Sequence, residues 1–366
     1  IAENTLCKSI WLRHEQPEIY EKTYKILQAK DYLVYRLTGN LDSTDLSDAS
    51  YGALVNLKSR SYDHDFFRAL GLNEDKFPTL HTGCEIAGVL TEEAAGHLGL
   101  RTGIPVSVGG GTTACANVGG CVAREGDFLL ELEARAWISG QMAEPFIDPA
   151  HRVFNICTMD GLAYYVSGKA LSACRSVNWA QQLFEVATPR AFDAAAANVA
   201  PGCEGLVYLP YLTGERSPVM DSGAQGVFFG MTTAHRREHF LRAVLEGVGC
   251  SLSQILDVLR EREQIDRLQI IGGGAHSKIW KQIIADLCNV TLQDVSIFSD
   301  NATCLGAAAA AGVGIGLFHD LAEATAKIKD GACTVPDEAV QPVYARTKAR
   351  YAALYPALKD VMHMEK

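Results

Sequence analysis

Leu268-Gln-Ile-Ile271 runs directly into Gly272-Gly273-Gly274, and Ile104-Pro-Val-Ser-Val108 runs in the same way into Gly109-Gly110-Gly111. In each case an apolar stretch of strand length meets three glycines and then a helical pattern. Ser277 stands in the N-cap role for the helix that follows the first of these turns. Glycine removes the Cβ that would keep a ligand from the backbone amides, and the start of a helix favours an anion. Either turn alone reads equally well as a tight strand-to-helix connection with no ligand. Two of them, one in each half of the chain, point to a phosphate-bearing ligand in a cleft between two domains.

Around these turns, strands and helices alternate, which indicates an α/β architecture. A helix is expected over Pro17–Leu37, with Ile19, Ile26, Leu27 and Leu33 on one face. Thr91 caps a helix that Gly99 closes, and Ile104–Val108 reads as a buried strand. After Gly120 the texture changes to strand-like stretches at Phe128–Leu132, Ala136–Ser139, Val153–Cys157 and Ala163–Val166. Helical patterns cover Leu171–Val186, Arg190–Val199, His235–Glu263 and Tyr344–Val361, with a strand at Leu206–Leu209. The composition shift near Gly120 is the expected domain boundary.

The 366 residues allow two domains with real cores. Lys and Arg number 33 against 43 Asp and Glu, for a net charge of −10 without a basic stripe. That balance argues against nucleic acid or an anionic membrane as partner. Eleven cysteines without a C-x-x-C pair fit reduced thiols and a cytoplasmic protein. The ten histidines form no ligand spacing, so no metal held by the protein itself is expected. Ala302–Phe318 is apolar but short and rich in Ala and Gly, a tightly packed helix rather than a membrane span. The Walker spacing is absent, which excludes a P-loop enzyme. A dinucleotide fingerprint is matched loosely at both glycine turns. Asp294, 20 residues past Gly274, is a weak counterpart of the acidic residue such a site needs.

Gly226-Val-Phe-Phe-Gly-Met231, followed after seven residues by His239-Phe-Leu-Arg-Ala-Val-Leu-Glu246, resembles the C-terminal signature of the FGGY family of carbohydrate kinases, in particular its xylulokinase-like branch. Leu209-Pro-Tyr-Leu-Thr-Gly-Glu-Arg-Ser-Pro218, Ser43-Thr-Asp-Leu-Ser-Asp-Ala-Ser50 and Gly272-Gly-Gly-Ala-His-Ser277 support the likeness, which runs over the whole chain. The resemblance implies two actin-like (ribonuclease H-like) domains around a nucleotide cleft. Residues 1–120 would be the C-terminal part of an incomplete first, sugar-side domain, and residues 121–366 the nucleotide-binding domain. It implies ATP as phosphate donor, Mg²⁺ bound mainly through the nucleotide, and a small sugar or polyol, xylulose-like, as acceptor. Gly272, Gly273, Gly274, Ala275, Ser277 and Gln282 would meet the nucleotide, while Gly110, Gly111, Glu215 and Arg216 would line the cleft. Glu215 and Arg216 read equally well as a structural ion pair, and Asp45 and Asp48 as turn caps. Dimers are common in the family, and no interface is legible here.

Three departures fall on the chemistry. Thr112 stands where the family has the Asp that takes the proton of the sugar hydroxyl, and a threonine hydroxyl is no base at neutral pH. Glu133-Ala134-Arg135 replaces a Gly-Thr-Ser turn that holds phosphates. The chain opens at Ile1 without the family's usual N-terminal section, as a processed or truncated product would. The reading is therefore a sugar kinase impaired in its chemistry. The alternative is an inactive nucleotide- or sugar-binding relative with a regulatory or interaction role, and a dinucleotide-dependent oxidoreductase ranks behind both.

Overall fold

The computed structural model describes residues 4–295, 301–328 and 330–364. Phe128–Leu132 is the strand on which the architecture turns. Its residues alternate between two cores, as a strand covered on both faces requires. Phe128, Leu130 and Leu132 enter one hydrophobic cluster and Leu129 the other. On one side it pairs in parallel with Arg267–Ile271, which pairs in parallel with Thr291–Val295, and Asp330–Thr334 closes that edge antiparallel. On the other side follow Ala136–Met142, Tyr164–Ala170 and Phe154–Cys157, all antiparallel. The register pairs Leu132 with Ala136, so the intervening turn is Glu133-Ala134-Arg135.

The first face is covered by the helix Arg237–Leu259, most of whose residues are buried, and by Lys278–Cys288 and Gln341–Met362. The signature residues Arg242 and Glu246 sit four apart on the long helix and bond to each other at 2.7 Å. Glu246 also accepts from the Gly202 amide and the Tyr344 hydroxyl, tying the C-terminal helix in place. The second face is covered by Thr112–Gly119 and Ala302–Gly314. These two helices approach backbone to backbone. A Cβ on Gly119 would lie 1.7 Å from the Ala302 carbonyl oxygen, and one on Gly306 would lie 1.9 Å from that of Cys115.

Two expectations are corrected. Pro17–Leu37 is not one helix: Pro17–Lys22 and Ala29–Thr38 are separated by an extended segment. Lys76 donates to the carbonyls of Glu21 and Thr23, while its own carbonyl accepts from the Ile26 amide. Tertiary hydrogen bonds thus outcompete the local helix. Ile19 and Leu33, expected on its buried face, are 54% and 59% exposed. The Ile104–Val108 stretch forms only Pro105–Ser107, in a two-stranded ribbon with Ile86–Val89 and with Pro105 exposed. No helix among the described residues is long and apolar enough to cross a membrane.

Candidate functional site

The strand Arg267–Ile271 ends at Gly272, whose φ of +93° is open to glycine alone without strain. A Cβ there would come within 2.8 Å of the Leu132 carbonyl oxygen. The following turn closes with the Ala275 amide on the Gly272 carbonyl. Ser277 then caps Lys278–Cys288 by accepting from the Trp280 amide at 3.2 Å. Gly273, Gly274, His276, Ser277 and Trp280 form one wall of a cavity of 500 Å³. Trp280 is fixed by its indole N–H on the Leu245 carbonyl, and Ala275 packs on the core behind the turn.

The opposite wall was not legible as a site in the sequence. Cys174, Val177, Asn178 and Gln181 face the cavity from the helix Cys174–Leu183, at the spacing of one helical face. Pro189, Arg190 and Asp193 add a third wall from the first turns of Pro189–Ala197. Asp193 is held above the ordinary carboxylate range by burial, opposed by a hydrogen bond with Ser277. The lining is mixed, with Val177, Pro189, Leu245 and Trp280 beside Asn178, Gln181, Arg190 and Asp193. That suits an amphiphilic ring system with a charged tail.

Glu133 also lines this cavity. Its carboxylate accepts from the Gly273 amide at 2.7 Å, across 140 residues of sequence. Cys174 donates its amide to the Glu133 carbonyl, and Ala173 and Arg175 both donate to that of Ala134. The Glu133-Ala134-Arg135 turn is thereby locked to the start of the next helix. Burial, and then the Glu133 charge, push the Cys174 thiol up to about 12.

The second glycine turn lies elsewhere. Gly109–Gly111 packs against Lys30, Ser47, Asp48 and Met159, none of which lines the Gly273 cavity. Thr112 is exposed at the start of its helix, directly after Gly111. The Gly111 amide donates to the Ser47 hydroxyl, and Asp48 Oδ1 lies 3.0 Å from where a Cβ on Gly111 would be. Buried Asp45 accepts from the Ser47 and Asp48 amides and pairs with Lys30 at 3.2 Å. Burial, reinforced by Asp45 and Asp31 and opposed by Lys30, pushes Asp48 up to about 7. A carboxyl raised on folding stabilises below its unfolded pKa, and that stability is lost as pH climbs to the folded value. Asp48→Asn is therefore expected to raise stability at pH 8 by about 1–3 kcal/mol and to change it little at pH 4. Urea unfolding at the two pH values checks this.

Three further residues singled out in the sequence, Glu215, Gln282 and Asp294, make side-chain bonds of their own. Glu215 is 2% exposed and accepts from the Leu171 and Arg216 amides and the Ser251 hydroxyl, with burial pushing it up to about 7. Gln282 donates to Asp286 and the Val335 carbonyl, outside the cavity. Asp294 is paired with Lys281 at 2.7 Å. No group of three or more His, Cys, Asp or Glu side chains among the described residues is arranged to hold a metal ion.

Comparison with known proteins identifies the family. Residues 2–119 match the N-terminal domain and residues 148–315 the C-terminal domain of the FGGY family of carbohydrate kinases. The chain is 32% identical over 360 residues to the xylulose kinase of Escherichia coli K12, covering 98% of this chain and 74% of that one. The ligand-bound crystal structure of xylulose kinase from Lactobacillus acidophilus superposes with a TM-score of 0.92 at 25% identity, covering 98% of this chain and 73% of that one. The xylulose kinase structure from Rhodospirillum rubrum gives 0.87 at 28% identity, with 99% and 74% covered. Family models over both halves, sequence identity and superposition agree, and the chain belongs to the FGGY family of carbohydrate kinases.

Proposed function

We propose that this chain is a xylulose-type sugar kinase whose nucleotide side is built but whose phosphoryl transfer is impaired. The Gly273–Trp280 wall, the Asn178–Gln181 wall and the Asp193 wall enclose a volume suited to an adenosine. This cavity is the observation that carries the reading. Phosphoryl transfer asks for positioning, charge stabilisation and a carboxylate to take the hydroxyl proton. Here the side chain at the base position is the Thr112 hydroxyl, which has no such capacity near neutral pH. The acceptor is a ketopentose or similar polyol, by analogy with the xylulose kinases the chain is similar to. Residues 1–120 serve as the sugar side and residues 121–366 as the nucleotide side.

The Glu133–Gly273 hydrogen bond favours a second reading, a relative that binds nucleotide without turning it over. Calorimetric titration with ADP and with NAD, paired with a coupled assay of ADP release on D-xylulose, separates these. Saturable ADP binding without NAD binding, with slow but sugar-dependent turnover, is the expected result. Binding without any turnover selects the second reading. Preference for NAD would overturn both.

A further inference from the structure

Gly273 and Gly274 of the glycine turn line the cavity, and the backbone N–H groups of such a turn are where a ligand's phosphate would be expected to bond. In this chain the Gly273 amide already has an anion on it, the carboxylate of Glu133 at 2.7 Å. The same oxygen lies 3.0 Å from the place of a Cβ on Gly272 and 3.7 Å from that on Gly273, so it sits in the concavity that the absence of side chains leaves open. The carboxylate does not hang from a loose loop. The Glu133 amide donates to the Arg135 carbonyl at 3.0 Å, closing the three-residue turn. The Glu133 and Ala134 carbonyls accept three amides from residues 173–175. Glu133 is exposed and lines the same 500 Å³ cavity as the buried Leu245 and Trp280. Its charge is felt on both sides: it adds to burial in raising the Cys174 thiol and the Glu131 carboxyl.

Within the nucleotide site proposed above, on which this inference rests, we infer that Glu133 is a built-in surrogate for a nucleotide phosphate. It fills the anion position of the glycine turn and makes the cavity select an uncharged nucleoside over its diphosphate. Two features of a phosphate are reproduced, an oxygen accepting from the turn amide and a full negative charge at the turn. A diphosphate entering the cavity must displace that oxygen and meet its charge. An adenosine need do neither, because it carries no phosphate to bring to the Gly273 amide.

The test is calorimetric titration of the whole chain and of Glu133→Gln and Glu133→Gly with adenosine and with ADP, with and without Mg²⁺, at 50 mM salt. Gln keeps an oxygen for the Gly273 amide and removes the charge, whereas Gly also vacates the space. Glu133 is exposed, so neither change threatens the fold. The unaltered chain is expected to bind adenosine at least as tightly as ADP. Both variants should tighten ADP binding about 10- to 100-fold while leaving adenosine within about two-fold. Raising the salt should narrow the gap between the unaltered chain and Glu133→Gln for ADP, since it screens the repulsion. If adenosine binds and ADP affinity is the same in all three chains, the surrogate is refuted while the nucleotide site stands. If neither ligand binds any of the three, the nucleotide reading itself falls, and this inference with it.

Discussion

Thr112→Asp, combined with Glu133→Gly, Ala134→Thr and Arg135→Ser, is expected to raise the ATP-dependent phosphorylation of D-xylulose by this chain about 10²- to 10⁴-fold. The effect should divide between two causes. The carboxylate at position 112 projects from the first turn of the Thr112–Gly119 helix, after a glycine turn held by Ser47 and crowded by Asp48. It can take the proton of an attacking hydroxyl, and its effect should appear in kcat. The three changes at the turn clear the Gly273 amide and remove a charge beside the phosphates, so they should act mainly on KM for ATP. A coupled ADP-release assay on the two partial variants and their combination measures the split. A combined variant no faster than the unaltered chain, with ADP binding restored, would remove position 112 from the base role.

Gly306→Val is expected to cost about 3 kcal/mol or more, at the upper end for overpacking, because the atom it strikes is backbone. The new side chain would start 1.9 Å from the Cys115 carbonyl oxygen, and neither helix can step aside while both stay on the sheet. For 366 residues unfolding as one unit that corresponds to a fall in Tm of about 4 °C or more. Ala308→Val, on the exposed side of the same helix, should stay within about 0.5 kcal/mol and controls for the cost of a β-branched residue in a helix. Differential scanning calorimetry of the two variants gives the comparison. Equal losses would mean that the close approach at Gly306 does not set the packing of this helix pair.

Local chemistry was legible wherever it acted within a few residues. Thr91 and Gly99 bracket their helix as their side-chain oxygen and left-handed backbone require, and Ser277 caps its helix through the Trp280 amide. The strands from Phe128 to Ala170 declared themselves by their apolar runs, Phe128–Leu132 at both ends and the other three with one or both ends shifted by one to four residues. What failed was set by partners distant in sequence. Nothing within Pro17–Leu37 announces that Lys76 will pull its middle out of helix. At the site, the glycine turn was visible because it needs glycine. Two walls of its cavity were not, because Asn178, Gln181, Arg190 and Asp193 are ordinary residues on ordinary amphipathic helices. Glu133 could be seen as a misfit in its turn, but its bond to Gly273 depends on two neighbouring strands meeting in parallel.

That same strand pairing bears on how the gene for such a protein can be cut and joined. Leu129 of the strand Phe128–Leu132 shares a cluster with Ala114, Ala116 and Val118, which lie before Gly120, as well as with Trp137, Tyr165 and Ile271 beyond it. A segment transferred by recombination from Gly120 onward would carry its sheet with one face stripped of the Thr112–Gly119 helix. The inherited unit and the unit that can be moved between chains therefore have different edges, and the movable one must take its covering helix along.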